Sequence, residues 1–466
     1  MKPKSFMLVA GEASGDLLAA ELVGALREEF AKVEAIPTPD YQPLHSSLGP
    51  RFFGAGGPLM AAAGVELAFD MTAHSVIGLS DVLSNYVTFR RLFRRLHALA
   101  IERQPDAIIC VDFAGFNLRF ARAIKGYVRS HSDWFHDWNP KLIQYVSPQV
   151  WASREGRAYR MARDYDLLLS IIPFERAWFA KRLPGFRVEF VGHPMVDRYL
   201  NALPPSAIIP SLNPDLNLNL NPNPAPNLAP SPHPPSSAPP STFDLRPSAF
   251  AVPASLVLLP GSRPGELRRH LPVLIEAAKR IAAQTQASFR MVLPSQALAR
   301  SAGPLSATVP RLQLQVGGLA QALGQADLAL TKSGTITLEC AFFGVPAVVF
   351  YKTSPATYLA GKQIVKVKYL AMPNLLADQP LFPEFVQGAA TAENLARAAL
   401  ELLRDEKRRA AIKARLAEIV GSLGPPGASR RAARAIAGLF RPDQGYRRSR
   451  QSDPHFLTVG DDARSL

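Results

Sequence analysis

Short apolar runs alternate with amphipathic stretches along most of the 466-residue chain. Runs at residues 5–10, 107–111 and 142–146 have the length of buried strands, and the stretches between them have helical spacing. The same alternation returns beyond residue 255. Strand, small-residue turn, helix and strand in succession are typical of the βαβ units of parallel sheets. The pattern predicts an α/β protein with two doubly wound parallel-sheet (Rossmann-like) domains that face a cleft.

The clearest unit lies at residues 327–351. An apolar run is followed by Ser333, Gly334 and Thr335, which open a predicted helix, and a second apolar run follows. A helix N-terminus with small side chains can bind an anion, because its first N–H groups lack partners within the helix. Glu339 lies about one turn further on and could accept hydrogen bonds from a sugar. The pattern alone equally allows a plain sheet connection with a Ser/Thr cap.

Two further turns follow predicted strands and carry charge. The turn after residue 10 is acidic, which suits sugar hydroxyls better than a pyrophosphate; its candidate ligands are Gly11, Glu12, Ser14 and Asp16. The turn after residues 255–259 carries Arg263. A guanidinium there is well placed to neutralise a diphosphate. These turns predict a sugar site in the first half and a phosphate site in the second.

Two candidates for chemistry stand at the ends of first-half strands. Asp112 directly follows the apolar run at residues 107–111, and ligands of open parallel sheets bind at the carboxyl ends of strands. We therefore predict that Asp112 is a general base. His193 follows the strand predicted at residues 188–191. It is a pocket candidate for the same reason, although a buried structural histidine fits equally well.

Residues 76–98 predict an amphipathic helix. Val82, Tyr86, Phe89 and Phe93 share one face by their spacing of four, three and four, and the other faces carry Arg90, Arg91, Arg94 and Arg95. Aromatic residues opposite arginines are typical of helices that dock on anionic bilayers. The alternative is a helix whose aromatic face packs into the core and whose basic face is solvated.

The composition changes sharply at residue 201. From there to residue 242 the chain consists mainly of Pro, Asn, Leu, Ala and Ser, with Asp215 as its one Asp, Glu, Lys or Arg. Such a segment cannot form a packed core. We predict an N-terminal acceptor and membrane-docking domain, an insertion, a C-terminal donor domain, a helix that packs back on the first domain, and a disordered tail, at residues 1–200, 201–247, 248–427, 428–440 and 441–466.

Composition narrows the class of ligand. Lys and Arg number 53 against 38 Asp and Glu, so the net charge of +15 favours an anionic partner. Nucleic acid is not expected, because no nucleic-acid motif is present, which leaves phosphates or a membrane surface. The two cysteines both lie in apolar runs, which favours a reducing compartment. Neither a Cys/His metal cluster nor a transmembrane segment is predicted.

Several longer stretches resemble the lipid-A-disaccharide synthase family, glycosyltransferases of the two-Rossmann-domain (GT-B) architecture. In the first half they are VAGEASGD (9–16), VD..GFN (111–117), YVSPQVWASR (145–154), PFE (173–175) and VGHP (191–194). In the second half they are LLPGSRPGEL (258–267), SGTITLECAFFGVPAVVFY (333–351), IVKV (364–367), MPNLLA (372–377) and PEFVQ (383–387). The likeness spans residues 5–440 without the insertion.

The resemblance implies an inverting, metal-independent hexosyl transfer in lipid A synthesis. UDP-2,3-diacylglucosamine would donate its sugar to the 6-hydroxyl of 2,3-diacylglucosamine 1-phosphate (lipid X), releasing UDP. The resemblance implies no cofactor. It does imply a peripheral protein on the cytoplasmic face of the inner membrane. Asp112 matches the family's base, Asn117 lies in the acceptor-side motif, and the implied donor contacts include Asn374, Glu384 and Gln387.

This chain departs from the family pattern at three places, and rival functions remain. Gly115 stands where a second aspartate is common, Ser153 replaces a tryptophan, and Asp378-Gln379 replaces Gly-Arg. The rivals are another UDP-sugar transferase with a lipid acceptor, a UDP-sugar 2-epimerase of the same architecture, and a non-catalytic binder of sugar lipids. A homodimer is compatible with the sequence, which does not fix the oligomeric state.

Overall fold

The computed structural model describes residues 4–34, 49–75, 82–202, 253–365 and 367–440. The insertion predicted at residues 201–247 lies outside this part from residue 203 onward, as does the tail predicted at residues 441–466.

The first half forms a seven-stranded sheet within the described residues. Its strands are β1 (Ser5–Ala10), β2 (Arg51–Gly56), β3 (Glu66–Asp70), β4 (Ala107–Val111), β5 (Lys141–Tyr145), β6 (Leu167–Ser170) and β7 (Val188–Phe190). Its helices are α1 (Ala13–Glu34), α2 (Pro58–Ala62), α3 (Thr72–Ser75), α4 (Val82–Arg103), α5 (Ala114–His131), α6 (Gly156–Asp164), α7 (Glu175–Arg182) and α8 (Pro194–Ala202).

The second half forms a six-stranded sheet within the same part of the chain. Its strands are β8 (Ser255–Leu259), β9 (Ser288–Leu293), β10 (Leu312–Val316), β11 (Leu328–Lys332), β12 (Ala347–Tyr351) and β13 (Glu384–Val386). Its helices are α9 (Pro264–Ala282), α10 (Gln296–Ser306), α11 (Leu319–Gly324), α12 (Ile336–Phe342), α13 (Pro355–Ile364), α14 (Met372–Ala377), α15 (Ala392–Arg404), α16 (Glu406–Ser422) and α17 (Ala428–Ala437).

The two sheets repeat one topology. Their orders are β3-β2-β1-β4-β5-β6-β7 and β10-β9-β8-β11-β12-β13, and neighbouring strands run parallel. In both, the order reverses beside the first strand, which is where doubly wound sheets bind ligands. All five residues of β4 are fully buried, as expected for a central strand covered on both faces. The predicted fold class is confirmed.

The end of the chain returns to the first half. Helix α17 packs on α1, and the Phe440 ring lies 6.0 Å from that of Phe6 and 6.3 Å from that of Phe30. The carboxylate of Asp197 in α8 accepts the backbone N–H groups of Gly427 and Ala428 at the start of α17. The two halves are therefore joined by packed structure as well as by the connecting chain.

Some elements differ from the sequence-based expectation. Strand β3 was not predicted, because it lies at a sheet edge and its half-exposed side chains break the apolar run. The helix expected at residues 76–98 is α4, which extends to Arg103, while residues 76–81 lie outside the described part. In the part of the chain that is described, no helix combines the length and apolar character needed to cross a bilayer.

Candidate active site

Four strand ends meet the cleft at the two switch points. Glu12 follows β1 and Asp112 follows β4, while Arg263 follows β8 and Ser333 follows β11. Strands β1 and β4 are neighbours, as are β8 and β11, so each half presents two turns at one edge. A cavity of about 460 Å³ lies between the halves and has Trp151 and Arg263 in opposite walls.

Asp112 sits in a turn whose backbone is fixed from three sides. Its φ of 48° is in the left-handed region. Its N–H donates to the carbonyl of Tyr145 at 2.9 Å, and its carbonyl accepts from Asn117 Nδ2 at 2.8 Å and Gln144 Nε2 at 3.1 Å. These bonds hold the side chain of Asp112 at the sheet edge.

This geometry corrects the role predicted for Asn117. Its side chain is fully buried, and Nδ2 also lies 3.3 Å from the carbonyl oxygen of Val111. A buried amide bonded to the backbone cannot reach a sugar in the cleft. Asn117 and Gln144, which the sequence reasoning missed, position Asp112.

The environment of Asp112 makes its carboxyl group a stronger base. Burial raises its pKa most, and the negative charge of Glu12 raises it further. A hydrogen bond from the Phe113 N–H and the charge of Arg263 act in the opposite direction without cancelling the rise. A carboxylate with a raised pKa binds a proton more readily, which general base catalysis requires.

Glu12 and Arg263 pair across the cleft, with 3.0 Å between Glu12 Oε2 and an Arg263 terminal nitrogen. The two side chains are 34% and 53% exposed. Because exposed ion pairs contribute little free energy, an incoming anion can displace this one. Glu12, which is predicted to bind a sugar, and Arg263, which is predicted to bind a phosphate, are therefore in contact.

The rest of the acidic turn is structural. The carboxylate of Asp16 is buried and accepts the N–H groups of Gly57 at 2.8 Å and of Leu59 and Met60 at 3.0 Å. It caps α2, so its predicted contact with a sugar is wrong. A Cβ on Gly11 would meet the Phe113 ring at 2.3 Å, which explains the glycine. Ser14 is exposed in the first turn of α1.

His193 is also structural. Its Nδ1 accepts the N–H of Met195 at 3.2 Å, and its backbone N–H donates to the carbonyl of Leu423 at 2.9 Å. Burial, assisted by the charge of Arg198, lowers the pKa of His193 to about 4. A neutral imidazole bonded to its own turn favours the structural alternative, at the contact between the first half and the end of α16, and the pocket role stays a prediction.

The phosphate side contains a lysine that the sequence reasoning missed. Lys332 Nζ lies 3.0 Å from Glu266 Oε1, and Glu266 Oε2 accepts the N–H of Ser262 at 3.1 Å. Glu266 therefore joins the turn that carries Arg263 to the end of β11. Both cations line the cavity. A lysine directly before a small-residue turn at a strand end was the available signal.

The turn after β11 faces the cavity with Ser333, Gly334 and Thr335. The hydroxyl of Ser333 donates to the carbonyl of Leu370 at 3.0 Å, so it connects the turn to the part of the wall that contains Leu370. Gly334 has a φ of 145°, which favours glycine. Thr335 is exposed just before α12 begins.

Glu339 is held from the first half. One of its carboxylate oxygens accepts a hydrogen bond from the Tyr199 hydroxyl of α8, whose ring stacks edge-on against Phe343 at 5.0 Å. Burial raises the pKa of Glu339, with Tyr199 and Arg198 opposing the rise. Its predicted contact with a ribose stays a prediction.

Three predicted donor contacts instead brace the cavity wall. Asn374 is fully buried and bonds the Phe382 backbone through both side-chain ends, at 2.7 and 2.8 Å. Glu384 accepts the N–H groups of Leu370 and Ala371 at 2.8 and 2.9 Å. Gln387 accepts the N–H of Thr353 at 2.9 Å. Their polar atoms bind backbone, so these residues support the wall, and their direct contacts with the donor stay a prediction.

The first half supplies the facing wall through the loop after β5. Trp151 Nε1 donates to Glu175 Oε1 at 2.9 Å, and Glu175 is fully buried. Ser153 forms an isolated antiparallel bridge with Val365 of the second half. The loop is thus fixed from below by Glu175, a residue to which the sequence reasoning gave no role.

Helix α4 turns its aromatic side inward. The Phe93 ring lies 5.3 Å from Phe116 and 5.8 Å from Phe120, and Phe89 packs partly buried against the core. Both rings keep part of their surface exposed, so the docking role of Phe89 and Phe93 stays a prediction. Exposed on the other faces are Arg90, Arg91, Arg94 and Arg95. The side chains of Val82 and Tyr86 lie outside the described residues.

Solved structures share the architecture. MnaA of S. aureus, in a structure with UDP, superposes with a TM-score of 0.54 at 12% identity, covering 94% of this chain and 97% of that chain. CalG4, the calicheamicin glycosyltransferase, gives a TM-score of 0.51 at 15% identity, with 95% and 100% covered. At such identities the likeness shows the fold alone, here the two-domain GT-B fold.

Sequence comparison is more specific. The family model described as Lipid-A-disaccharide synthetase matches residues 6–207 and 252–436. The lipid-A-disaccharide synthases of Anaeromyxobacter sp. (strain K) and Myxococcus xanthus (strain DK1622) are each 34% identical to this chain. The alignments cover 93% and 94% of this chain and 97% and 98% of those proteins. The chain belongs to the lipid-A-disaccharide synthase family.

Proposed function

We propose that this chain transfers the sugar of UDP-2,3-diacylglucosamine to the 6-hydroxyl of 2,3-diacylglucosamine 1-phosphate, with inversion, forming a β-1,6 disaccharide and UDP. The observation that carries the proposal is the position of Asp112 at the switch point of the first sheet, facing the Glu12–Arg263 pair. With Asp112 as the base, the proton acceptor and the cations would lie on opposite sides of the cleft.

Asp112 acts as the general base. Its carboxylate takes the proton of the acceptor 6-hydroxyl while the hydroxyl oxygen attacks C1 of the donor sugar. The bond between C1 and the diphosphate oxygen breaks, and UDP departs with the electron pair. One displacement from the opposite face inverts C1. The raised pKa of Asp112 supports this role.

Arg263 and Lys332 stabilise the leaving UDP. Each cation is paired with a carboxylate, Arg263 with Glu12 and Lys332 with Glu266. A diphosphate carries more charge than one carboxylate and can take both cations. Charge compensation at the leaving group is the largest electrostatic contribution such a transfer needs. Glu339 holds the ribose through the oxygen that Tyr199 does not use.

We expect the transfer to proceed without a metal ion or cofactor. Two cations already face the site where the diphosphate would lie. The test is turnover with and without EDTA, and loss of activity with the chelator would overturn the expectation.

The exposed arginines of α4 dock the protein on the cytoplasmic face of the inner membrane. Four guanidinium groups on one helix attract anionic headgroups, and both substrates carry acyl chains that lie in the bilayer. Reversing Arg90, Arg91, Arg94 and Arg95 to glutamate should abolish co-sedimentation with anionic vesicles. Unchanged co-sedimentation would contradict this role.

The assay for the reaction itself uses purified full-length chain with both lipid substrates. We expect UDP and the disaccharide 1-phosphate in equal amounts. Neither product should form when the acceptor is omitted. Conversion of UDP-N-acetylglucosamine to its 2-epimer, with no disaccharide from the lipid substrates, would favour the epimerase instead.

A further inference from the structure

Four arginines of the first half lie close enough for the charges of three of them to act on the fourth, Arg157. Arg119 lies on α5, Arg157 and Arg160 lie on α6, and Arg154 precedes α6. Arg157 and Arg160 are three residues apart and so share one helix face. The N–H of Arg157 donates to the carbonyl of Arg154 at 2.9 Å, which fixes the start of the group. We call these four residues the arginine cluster.

The cluster differs from neighbouring arginines in its ion pairs. Among the described residues, no carboxylate forms an ion pair with any of its four members, whereas nearby Arg163 binds Asp164 at 2.7 Å and Arg182 lies 3.8 Å from Glu155. Burial lowers the pKa of Arg157 most, and the charges of Arg154, Arg160 and Arg119 lower it further. Like charges held together without compensation form a site that an anion would stabilise.

The cluster lies at the same sheet edge as Asp112. Helix α5 begins two residues after Asp112, and Arg119 is five residues into it, about 7.5 Å along the axis. Helix α6 follows the loop that carries Trp151, and Tyr165 at its end donates to the carbonyl of Asn117 in α5 at 3.0 Å. The cluster is therefore on the acceptor side, and Arg263 and Lys332 remain for the donor.

We propose that the arginine cluster binds the phosphate monoester of the acceptor, a role that rests on the reaction proposed above. A phosphate monoester is close to a dianion at neutral pH, and guanidinium groups bind its oxygens in pairs. The phosphate is on C1 and the reacting hydroxyl on C6 of the same sugar. An anchor for the phosphate at the same sheet edge as Asp112 would present that hydroxyl to the base.

The test compares acceptors with and without the 1-phosphate, using Arg157→Gln at a partly buried position and Arg119→Gln at an exposed one. Each variant should raise KM for the phosphorylated acceptor on the order of 30-fold, as expected for a lost charged hydrogen bond. Neither should change kcat/KM for the dephosphorylated acceptor or the affinity for UDP. Arg129→Gln is the matched control, because Arg129 is exposed in the last turn of α5, about 15 Å along the helix from Arg119.

Other outcomes overturn the proposal. An equal loss on both acceptors would show that the cluster maintains the fold. Weakened binding to anionic vesicles, with unchanged discrimination between acceptors, would assign the cluster to lipid headgroups. Absence of disaccharide from the wild-type chain would instead refute the proposed reaction.

Discussion

The two switch points of this molecule share a topology and differ in charge. The first presents Glu12 and Asp112, and the second presents Arg263 and Lys332, at equivalent strand ends of sheets with the same order. The fold fixes where side chains are presented, and the turn sequences decide the chemistry. Here one half suits removal of a proton and the other suits a departing diphosphate.

The two halves also contact each other through side chains of the candidate site. Glu12 pairs with Arg263, and Tyr199 bonds Glu339, so two residues of the donor side are bound by the acceptor side. When the donor binds, Arg263 must leave Glu12 for the diphosphate. Variants in each half therefore show whether proton removal and diphosphate binding can be separated.

Loss of Asp112 should have the largest effect. We expect Asp112→Asn to lower kcat about 1,000-fold, since the amide cannot take the acceptor proton. Single-turnover assays measure this directly. Asp137→Asn, an exposed aspartate in the loop before β5, is the control and should retain activity. If Asp112→Asn reacts at the wild-type rate, Asp112 is not the general base.

Loss of Arg263 should be the next largest effect and should appear on the donor. We expect Arg263→Ala to raise KM for the UDP-sugar roughly 100-fold, because one charge-assisted contact to the diphosphate is lost. The matched control is Arg268→Ala, an exposed arginine of α9. A change confined to the KM of the acceptor would contradict the division between halves.

The sequence predicted much of this comparison. Apolar runs with helical stretches between them were enough for the central strands of both sheets but not for the edge strand β3. Asp112 and Arg263 were found because they follow strands. Contacts distant in sequence were not predictable: Tyr199 with Glu339, and Trp151 with Glu175, depend on packing between elements. The sequence pattern also cannot distinguish a polar residue that binds a ligand from one that bonds the backbone. Asp16 and Asn117 were misassigned for this reason.

Substitution of Glu12 should shift a pH profile. Burial raises the pKa of Asp112 most, followed by the charge of Glu12. The base works when ionised, so kcat/KM falls as pH drops through that pKa. Glu12→Gln removes one negative neighbour and should move the acid limb to lower pH. A shift to higher pH would show that Glu12 acts mainly through Arg263.

The smallest effect should be on the pH dependence of folding stability, through Glu175, which bonds Trp151 of the cleft wall. Burial raises the pKa of Glu175 from 4.5 to about 7, against hydrogen bonds from Ser170, Trp151 and Ser147. The folded state thus holds this proton more tightly than the unfolded state, and wild-type stability falls as pH rises from 4.5 to about 7. Glu175→Gln cannot ionise.

Melting temperatures across that window test the point. The melting temperature of Glu175→Gln should rise relative to that of the wild type as pH increases. The rise should be a few degrees at most, because the chain is large. Glu155→Gln, a partly exposed residue at the start of α6, is the control and should show no such trend. A constant difference between Glu175→Gln and wild type at all pH values would mean that Glu175 does not titrate there.

The division of labour between the halves is tested most directly by UDP binding to Asp112→Ala, measured by calorimetry. If Asp112 serves only the acceptor, the variant should bind UDP within about twofold of the wild type while giving no turnover. A UDP affinity weakened about tenfold or more would place Asp112 in the donor site and contradict the account.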